Sequence, residues 1–383
     1  MAKDDSTNNT EATFHWRNFL KIAAVVIVLS NLLSSKDILE SVKTELKLHT
    51  AENQTHPSIN SVPSLPDVPN RKPRYAIGMY VDGYEHLIGL YSILRQAINT
   101  GMIDDGVEIV VATTESKMYD KNNKVSQVSQ RLMQWRDEGL IHKVIPANNS
   151  IINNKIHKTG LWEGVFNKLF FFNFTEYDKI IRLDCDVLIR QNIGHWFDYE
   201  TPIAIQAKDE IEWNSGAMVI TPNSTLFNEM IDKLPQVQRL DRRKQKQNDT
   251  DGWNSGIGEQ GYMSSFFTTS TVATQRMKTM STGDAVLISS LQSDGMRYFW
   301  FHRNHIFSTI HLTTTKPWRG KTKTSNPVAC EVLREWALSV EGLENYELRK
   351  EYRNVTSKTP PFLAKCPKAT TPVIPAYQKF PRR

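Results

Sequence analysis

From Tyr75 onward, apolar and polar positions switch between two periods. Residues 75–81 form a short, nearly continuous apolar run, the pattern of a buried strand. Leu87, Ile88, Leu90, Tyr91, Ile93, Leu94 and Ile98 then recur at helical spacing, which predicts an amphipathic helix over 84–97. The alternation continues: a fully buried strand at 107–112, a helix at 125–139, a strand at 140–145, a helix at 161–172 and a strand at 179–183. Strands separated by helices of this length build βαβ units. The prediction is an α/β fold with a mostly parallel, Rossmann-like central sheet and right-handed crossovers.

The strand at 179–183 runs into Asp184-Cys185-Asp186 and then into more apolar residues. Residues i and i+2 of a strand point the same way, so a strand ending here presents two carboxylates at its carboxyl edge, where open α/β sheets bind ligands. Two hard oxygen ligands suit Mn²⁺ or Mg²⁺ with a diphosphate. On spacing alone, a solvated loop after a buried strand is an equal reading. Cys185 reads as a small buried residue rather than a nucleophile.

The segment ahead of the alternating region has a different character. Residues 22–33 are apolar, extended upstream by Phe19 and Leu20 and flanked by Arg17 and Lys21. The length is short for a spanning helix, and the polar leader is long for a signal peptide, so the expectation is an uncleaved signal-anchor. A Pro/Ser/Asn-rich stretch at 51–74 reads as a linker. The expected organisation is a cytosolic tail at 1–17, a membrane anchor at 18–35, a stem at 36–74, one catalytic domain at 75–318 and an extension at 319–383. Such a chain would be a single-pass type II protein of the Golgi or endoplasmic reticulum membrane, with its domain in the lumen. Sequons begin at Asn53, Asn148, Asn173, Asn223, Asn248 and Asn354, in keeping with a lumenal domain. Of three cysteines, Cys330 and Cys366 are a candidate disulfide that the sequence leaves open. Hydrophobic content of 39% with 23% charge is that of a globular protein, and a net charge of +6 over 383 residues does not point to nucleic acid.

Three downstream segments complete the pattern: a polar turn at 212–216 entering a strand, a glycine-framed acidic turn at 258–261 opening a helix, and a stretch from His311 to Trp318. With the first strand and the acidic pair, this ordered set resembles the family-8 glycosyltransferases, the glycogenin-like group, over about residues 74–318. The resemblance implies a GT-A fold and a metal-dependent, retaining transfer from a nucleotide-sugar. It implies Asp184, Asp186 and His311 as ligands of Mn²⁺, with Mg²⁺ as the alternative ion. Tyr84 would stack on uracil, Lys168 would reach the ribose or phosphate, and Lys316 would neutralise the departing diphosphate. Asn214 and Ser215 would bond the donor sugar, and Glu259 and Gln260 would flank its anomeric carbon. UDP-glucose is the first donor expected, with UDP-galactose, UDP-GlcNAc, UDP-xylose and UDP-glucuronate open. The acceptor is a glycan, a lipid or a protein, and a homodimer is one option.

Each of these residues also has a plainer reading: helix packing for Tyr84, a solvated lysine at 168, a core-edge histidine at 311, and turn chemistry around Asn214 and Glu259. The chain departs from the family in having Glu259 where Asp is common. Its His-to-Lys segment is also one residue shorter than glycogenin's and lacks an internal glycine. Tyr298 does not match glycogenin's self-glycosylated site. Two other functions compete: an inactive membrane-anchored sugar-nucleotide scaffold, and an aspartyl phosphohydrolase using Asp184 and Asp186. The second needs a later paired-acid motif, which Gly283-Asp284 does not supply.

Overall fold

A computed structural model of the chain describes residues 72–103, 105–119, 125–147, 151–152, 163–206, 213–236, 259–269, 276–292, 300, 306–313, 316–319, 325–341, 363 and 366. The expected tail and anchor, almost all of the stem, the basic run at 239–246 and Tyr298 lie wholly or largely outside these residues. No described helix is long and apolar enough to cross a membrane.

The main sheet has the order β3-β2-β1-β4-β7-β6-β8. Its strands are β1 (Tyr75–Val81), β2 (Glu108–Thr114), β3 (Lys143–Ala147), β4 (Lys179–Leu183), β6 (Ile203–Gln206), β7 (Trp213–Ile220) and β8 (Lys278–Thr279). β1 pairs in parallel with both β2 and β4, and β2 with β3. β7 runs antiparallel to β4 and β6. The sheet is therefore largely parallel, as the alternation predicts. Because β1 is followed by β2 on one side and flanked by β4 on the other, the crossovers diverge between β1 and β4. Sheets of this kind bind ligands outside the carboxyl ends of the strands flanking such a point, here Val81 and Leu183, and Asp184 follows the second.

A second, three-stranded sheet has the order β5-β10-β9, from β5 (Val187–Ile189), β9 (Ala285–Leu287) and β10 (Thr309–His311). It sets the site's geometry. β5 begins immediately after Asp186, and its first residue, Val187, lies opposite His311 in an antiparallel register. A residue far along the chain is thereby placed beside the acidic pair.

Two apolar clusters pack the faces of the main sheet. One joins β1, β2, the small sheet, helix α1 (His86–Asn99) and helix α2 (Gln127–Asp137). The other joins the opposite sheet face to a 3-10 helix at Glu163–Asn173, helix α3 (Ser224–Lys233) and helix α4 (Glu259–Thr269). Helix α1 forms because Leu87, Leu90, Tyr91 and Leu94 fall on one buried face. It stops at Gly101, whose φ of 79° suits glycine. Asn223 caps α3 by accepting from the Leu226 N–H.

The pattern misplaced some boundaries. The segment expected as a helix at 161–172 is a 3-10 helix, and the third strand begins at Lys143. Asn214 and Ser215, expected in a turn, lie within β7. Past Trp318 the chain adds helix α5 (Pro327–Ser339), capped by Asn326 and led by Pro327 at a position where a missing N–H is harmless. Its Val328, Val332, Leu333 and Trp336 are fully buried in the first cluster. Cys330 on this helix is disulfide-bonded to Cys366.

Candidate active site at the carboxyl edge of β4

Asp184 follows β4 directly, and the turn Asp184–Val187 is closed by the Val187 N–H on the Asp184 carbonyl at 3.1 Å. Helix α1 comes close enough that a Cβ on Gly89 would overlap the Cys185 carbonyl. Glycine at 89 is thus what lets the helix press the acidic turn into place. Cys185 itself is buried, its thiol is pushed up by that burial, and it donates to the Tyr80 carbonyl. It fills space, as expected.

The two carboxylates have different partners. Asp186 is almost wholly buried between His311 Nε2 at 3.2 Å and Lys316 Nζ at 2.8 Å. Burial raises its proton affinity, but His311 and Lys316 outweigh burial and hold it well below the usual carboxylate range. Asp184 contacts Lys168 Nζ at 2.7 Å and Arg182 Nη1 at 3.2 Å. There too burial opposes ionisation, and Lys168 and Arg182 hold the carboxyl down at about 2. Lys168 also reaches Glu259 Oε1 at 3.2 Å, which accepts from Ser215 Oγ at 2.6 Å. Burial lowers the Lys168 ammonium's pKa, but Asp184 and Glu259 reverse that and raise it.

The His311 ring can be assigned a tautomer. Asn214 Oδ1 accepts the Gly216 N–H at 2.8 Å, while its Nδ2 donates to Gln260 Oε1 at 3.2 Å, which fixes the amide. The same Oδ1 lies 2.7 Å from His311 Nδ1, so Nδ1 carries the proton. Nε2 faces Asp186 Oδ1 at 3.2 Å and is the ring nitrogen turned toward the acidic pair. The donor atoms of Asp184, Asp186 and His311 all lie within 4.8 Å of one another, and a carboxylate–carboxylate–imidazole set suits a divalent ion such as Mn²⁺. The residues fit the metal. Gly216 makes room for the ring: a Cβ there would overlap it.

All the expected site residues except Tyr84 are therefore joined in one network. Tyr84 lies in the turn between β1 and α1, half-buried against the core. The sequence reading missed Arg182, although a charged residue inside an otherwise apolar strand was a visible signal. It also missed Gly216, which nothing but the approach of a residue 95 positions later explains.

No protein-family model matches the chain. Over 152 residues it is 31% identical to inositol phosphorylceramide glucuronosyltransferase 1 of Arabidopsis thaliana, covering 40% of this chain and 25% of that protein. Over 80 residues it is 34% identical to glycogenin of Komagataella phaffii, covering 20% of each. Over these stretches the chain is similar to a glucuronosyltransferase and to a glycogenin. It spans a quarter or less of the length of these curated relatives. The bifunctional glycosyltransferase WbbM superposes over 73% of this chain and 52% of that one, with a TM-score of 0.49 at 12% identity.

Proposed function

We propose that the protein moves a glycosyl group from a UDP-sugar to a hydroxyl acceptor, with retention of configuration, at the carboxyl edge of β4. The observation that carries this reading is the joining of Asp184, Asp186 and His311 with Lys316, Lys168 and Glu259 in one largely buried network at the carboxyl end of β4. Asp184, Asp186 and His311 would hold a divalent ion. When bound, that ion supplies positive charge to the diphosphate of the donor.

The chain's own residues account for the rest. Lys316 is partly exposed and rests on Asp186, so its ammonium can turn to the diphosphate, where negative charge develops as the C1–O bond breaks. Asn214 is buried and held by Gly216 and Gln260, so it presents a fixed amide to the sugar. Glu259 flanks the anomeric carbon as a charge. One of its oxygens already accepts from Lys168 and Ser215, which suits electrostatic stabilisation better than nucleophilic attack. The acceptor oxygen would then bond to C1 on the face the diphosphate leaves, and its proton would pass to the departing phosphate oxygen. A covalent glycosyl–Glu259 adduct trapped with a slow donor would refute this path. Tyr84, in the turn after β1, would meet the base.

The sugar is glucose, as the resemblance suggests, or glucuronate, for which the ceramide-directed relative is named. A lumenal setting is supported by the Cys330–Cys366 disulfide and by the apolar segment at 22–33. The phosphohydrolase reading is disfavoured because Asp284 is engaged by His195, Tyr199 and Ser281 rather than by the acidic pair. The test is a screen of UDP-sugars for UDP release with and without Mn²⁺. Mn²⁺-dependent release that disappears in Asp184→Asn and His311→Ala supports a transferase. No release and no Mn²⁺-dependent UDP binding would favour the inactive scaffold.

A further inference from the structure

The amino edge of the main sheet, opposite the one that carries Asp184, has a chemistry of its own. Two of the sequons fall among the described residues, Asn173-Phe174-Thr175 and Asn223-Ser224-Thr225, and both lie there. The first closes the 3-10 helix that leads into β4, and the second follows β7, whose Ile220 pairs with Ile180 near the start of β4. The Asn223 N–H donates to the Phe172 carbonyl at 2.7 Å, which ties the two sequons together at one corner of the domain. The chain enters the sheet beside them, where Arg74 and Asp178 are joined by hydrogen bonds of 2.8 and 2.9 Å.

An N-linked glycan is bulky and needs a surface asparagine two residues ahead of a Ser or Thr hydroxyl. Both segments meet that need in the folded chain. Asn173 and Thr175 are exposed, while the Phe174 between them is buried with Phe172 in the second cluster. Asn223 and Thr225 are exposed as well. Asn223 also caps α3, but the cap uses only Oδ1, which accepts the Leu226 N–H at 3.0 Å. The Nδ2 atom takes no part in it, so a substituent there leaves the cap intact. An Asp or Ser would cap this helix equally well without offering an amide nitrogen.

Resting on the lumenal setting proposed above, we infer that Asn173 and Asn223 both carry N-linked glycans and that this corner is the glycosylated face of the domain. The co-reactant is an oligosaccharide held on a lipid diphosphate. At each site the bond from the sugar C1 to the phosphate oxygen breaks, C1 bonds to Nδ2, Nδ2 loses a proton, and the lipid diphosphate departs. Between Asp178 and Asp184 the β4 segment spans roughly 20 Å, at about 3.3 Å per residue. Both attachment points are therefore at the far edge from the acidic pair. No sequon among the described residues lies at the carboxyl edge. The two glycans cover the amino edge and the entry of the chain, and they leave the proposed donor site uncovered.

The test is peptide mass spectrometry of the full chain made in eukaryotic cells, after enzymatic release of N-glycans, which converts each glycosylated asparagine to aspartate. An untreated sample controls for spontaneous deamidation. Sealed microsomes from the same cells are treated with protease, which reads the side of the membrane that holds the domain. Conversion should be found at both Asn173 and Asn223. Thr175→Ala should abolish it at Asn173 alone and Thr225→Ala at Asn223 alone, each with the loss of one glycan in gel mobility. Thr225→Ala retains Asn223 as the cap of α3, so that loss is not a loss of the helix. An unmodified Asn173 or Asn223 in protein that the microsomes protect would overturn the inference and leave the lumenal setting standing. A domain digested in sealed microsomes, with both asparagines unmodified, would remove the lumenal setting and this inference with it.

Discussion

Two arginines in this protein are buried to the same degree and differ in almost every other respect. Arg190, just past β5, lays both of its Nε contacts on the Glu335 carboxylate at 3.1 and 3.2 Å, gives Nη1 to the Phe307 carbonyl and stacks over Trp300 at 5.0 Å. Arg182, at the end of β4, has one contact and two unpaired nitrogens among the described residues. The Arg190 pair is closed: it fastens helix α5 to the small sheet and leaves nothing to offer. The Arg182 network is open: two nitrogens of its guanidinium lack a partner among the described residues. A closed buried ion pair reads as architecture, an open one as a site. The same charge in the same degree of burial means different things depending on whether its hydrogen bonds are complete.

The sharpest way to break the comparison is to remove one member of each arginine's ion pair. Glu335→Ala should strand a buried guanidinium and cost about 3–5 kcal/mol in urea unfolding. Arg182→Met should cost no more than ~1 kcal/mol, since Asp184 keeps Lys168. Equal losses would make Arg182 a structural residue like Arg190. Gly216→Ala comes next. The added methyl must push the His311 ring off its seat, so Mn²⁺ affinity should fall by ~10–100-fold while unfolding stays cooperative. Unchanged Mn²⁺ binding would mean that His311 is not a ligand.

The smallest effect concerns Asp284, a charge cluster outside the site. Burial alone would raise its pKa, but His195, Ser281 and Tyr199 hold the carboxyl at about 2 against an ordinary 3.8. The folded value lies below the unfolded one, so its stabilisation is complete above about pH 4 and lost as pH falls through 2. His195 is half exposed, so screening limits the gain to about 1 kcal/mol. The difference in stability between wild type and Asp284→Asn should therefore shrink between pH 4 and 2. A difference that stays constant over that range would show that the carboxyl is not depressed.

How far the sequence reached follows from what each residue's role depends on. The parallel sheet and the acidic edge were legible because strand and helix periods and the i, i+2 spacing of Asp184 and Asp186 are local. Lys168, His311 and Lys316 could be named through ordered motifs but not placed. Their approach to the acidic pair depends on the β5–β10 register and on the 3-10 helix, which no local pattern encodes. Asn214 and Ser215 were expected in a turn because Asn, Ser and Gly favour turns. Pairing in β7 overrode that preference. The contribution of α5 was hidden, because its burial against α1 joins segments more than 200 residues apart. Gly89 and Gly216 were silent, because a glycine needed for close approach looks like any other until the approaching residue is known.

The most direct test of the central claim, that the open network is a metal and UDP site, is titration of the protein with Mn²⁺ followed by electron paramagnetic resonance, in the absence and presence of UDP. The account predicts a single Mn²⁺ site that tightens when UDP is added and disappears in Asp186→Asn. Mn²⁺ binding that ignores UDP and survives Asp186→Asn would contradict it.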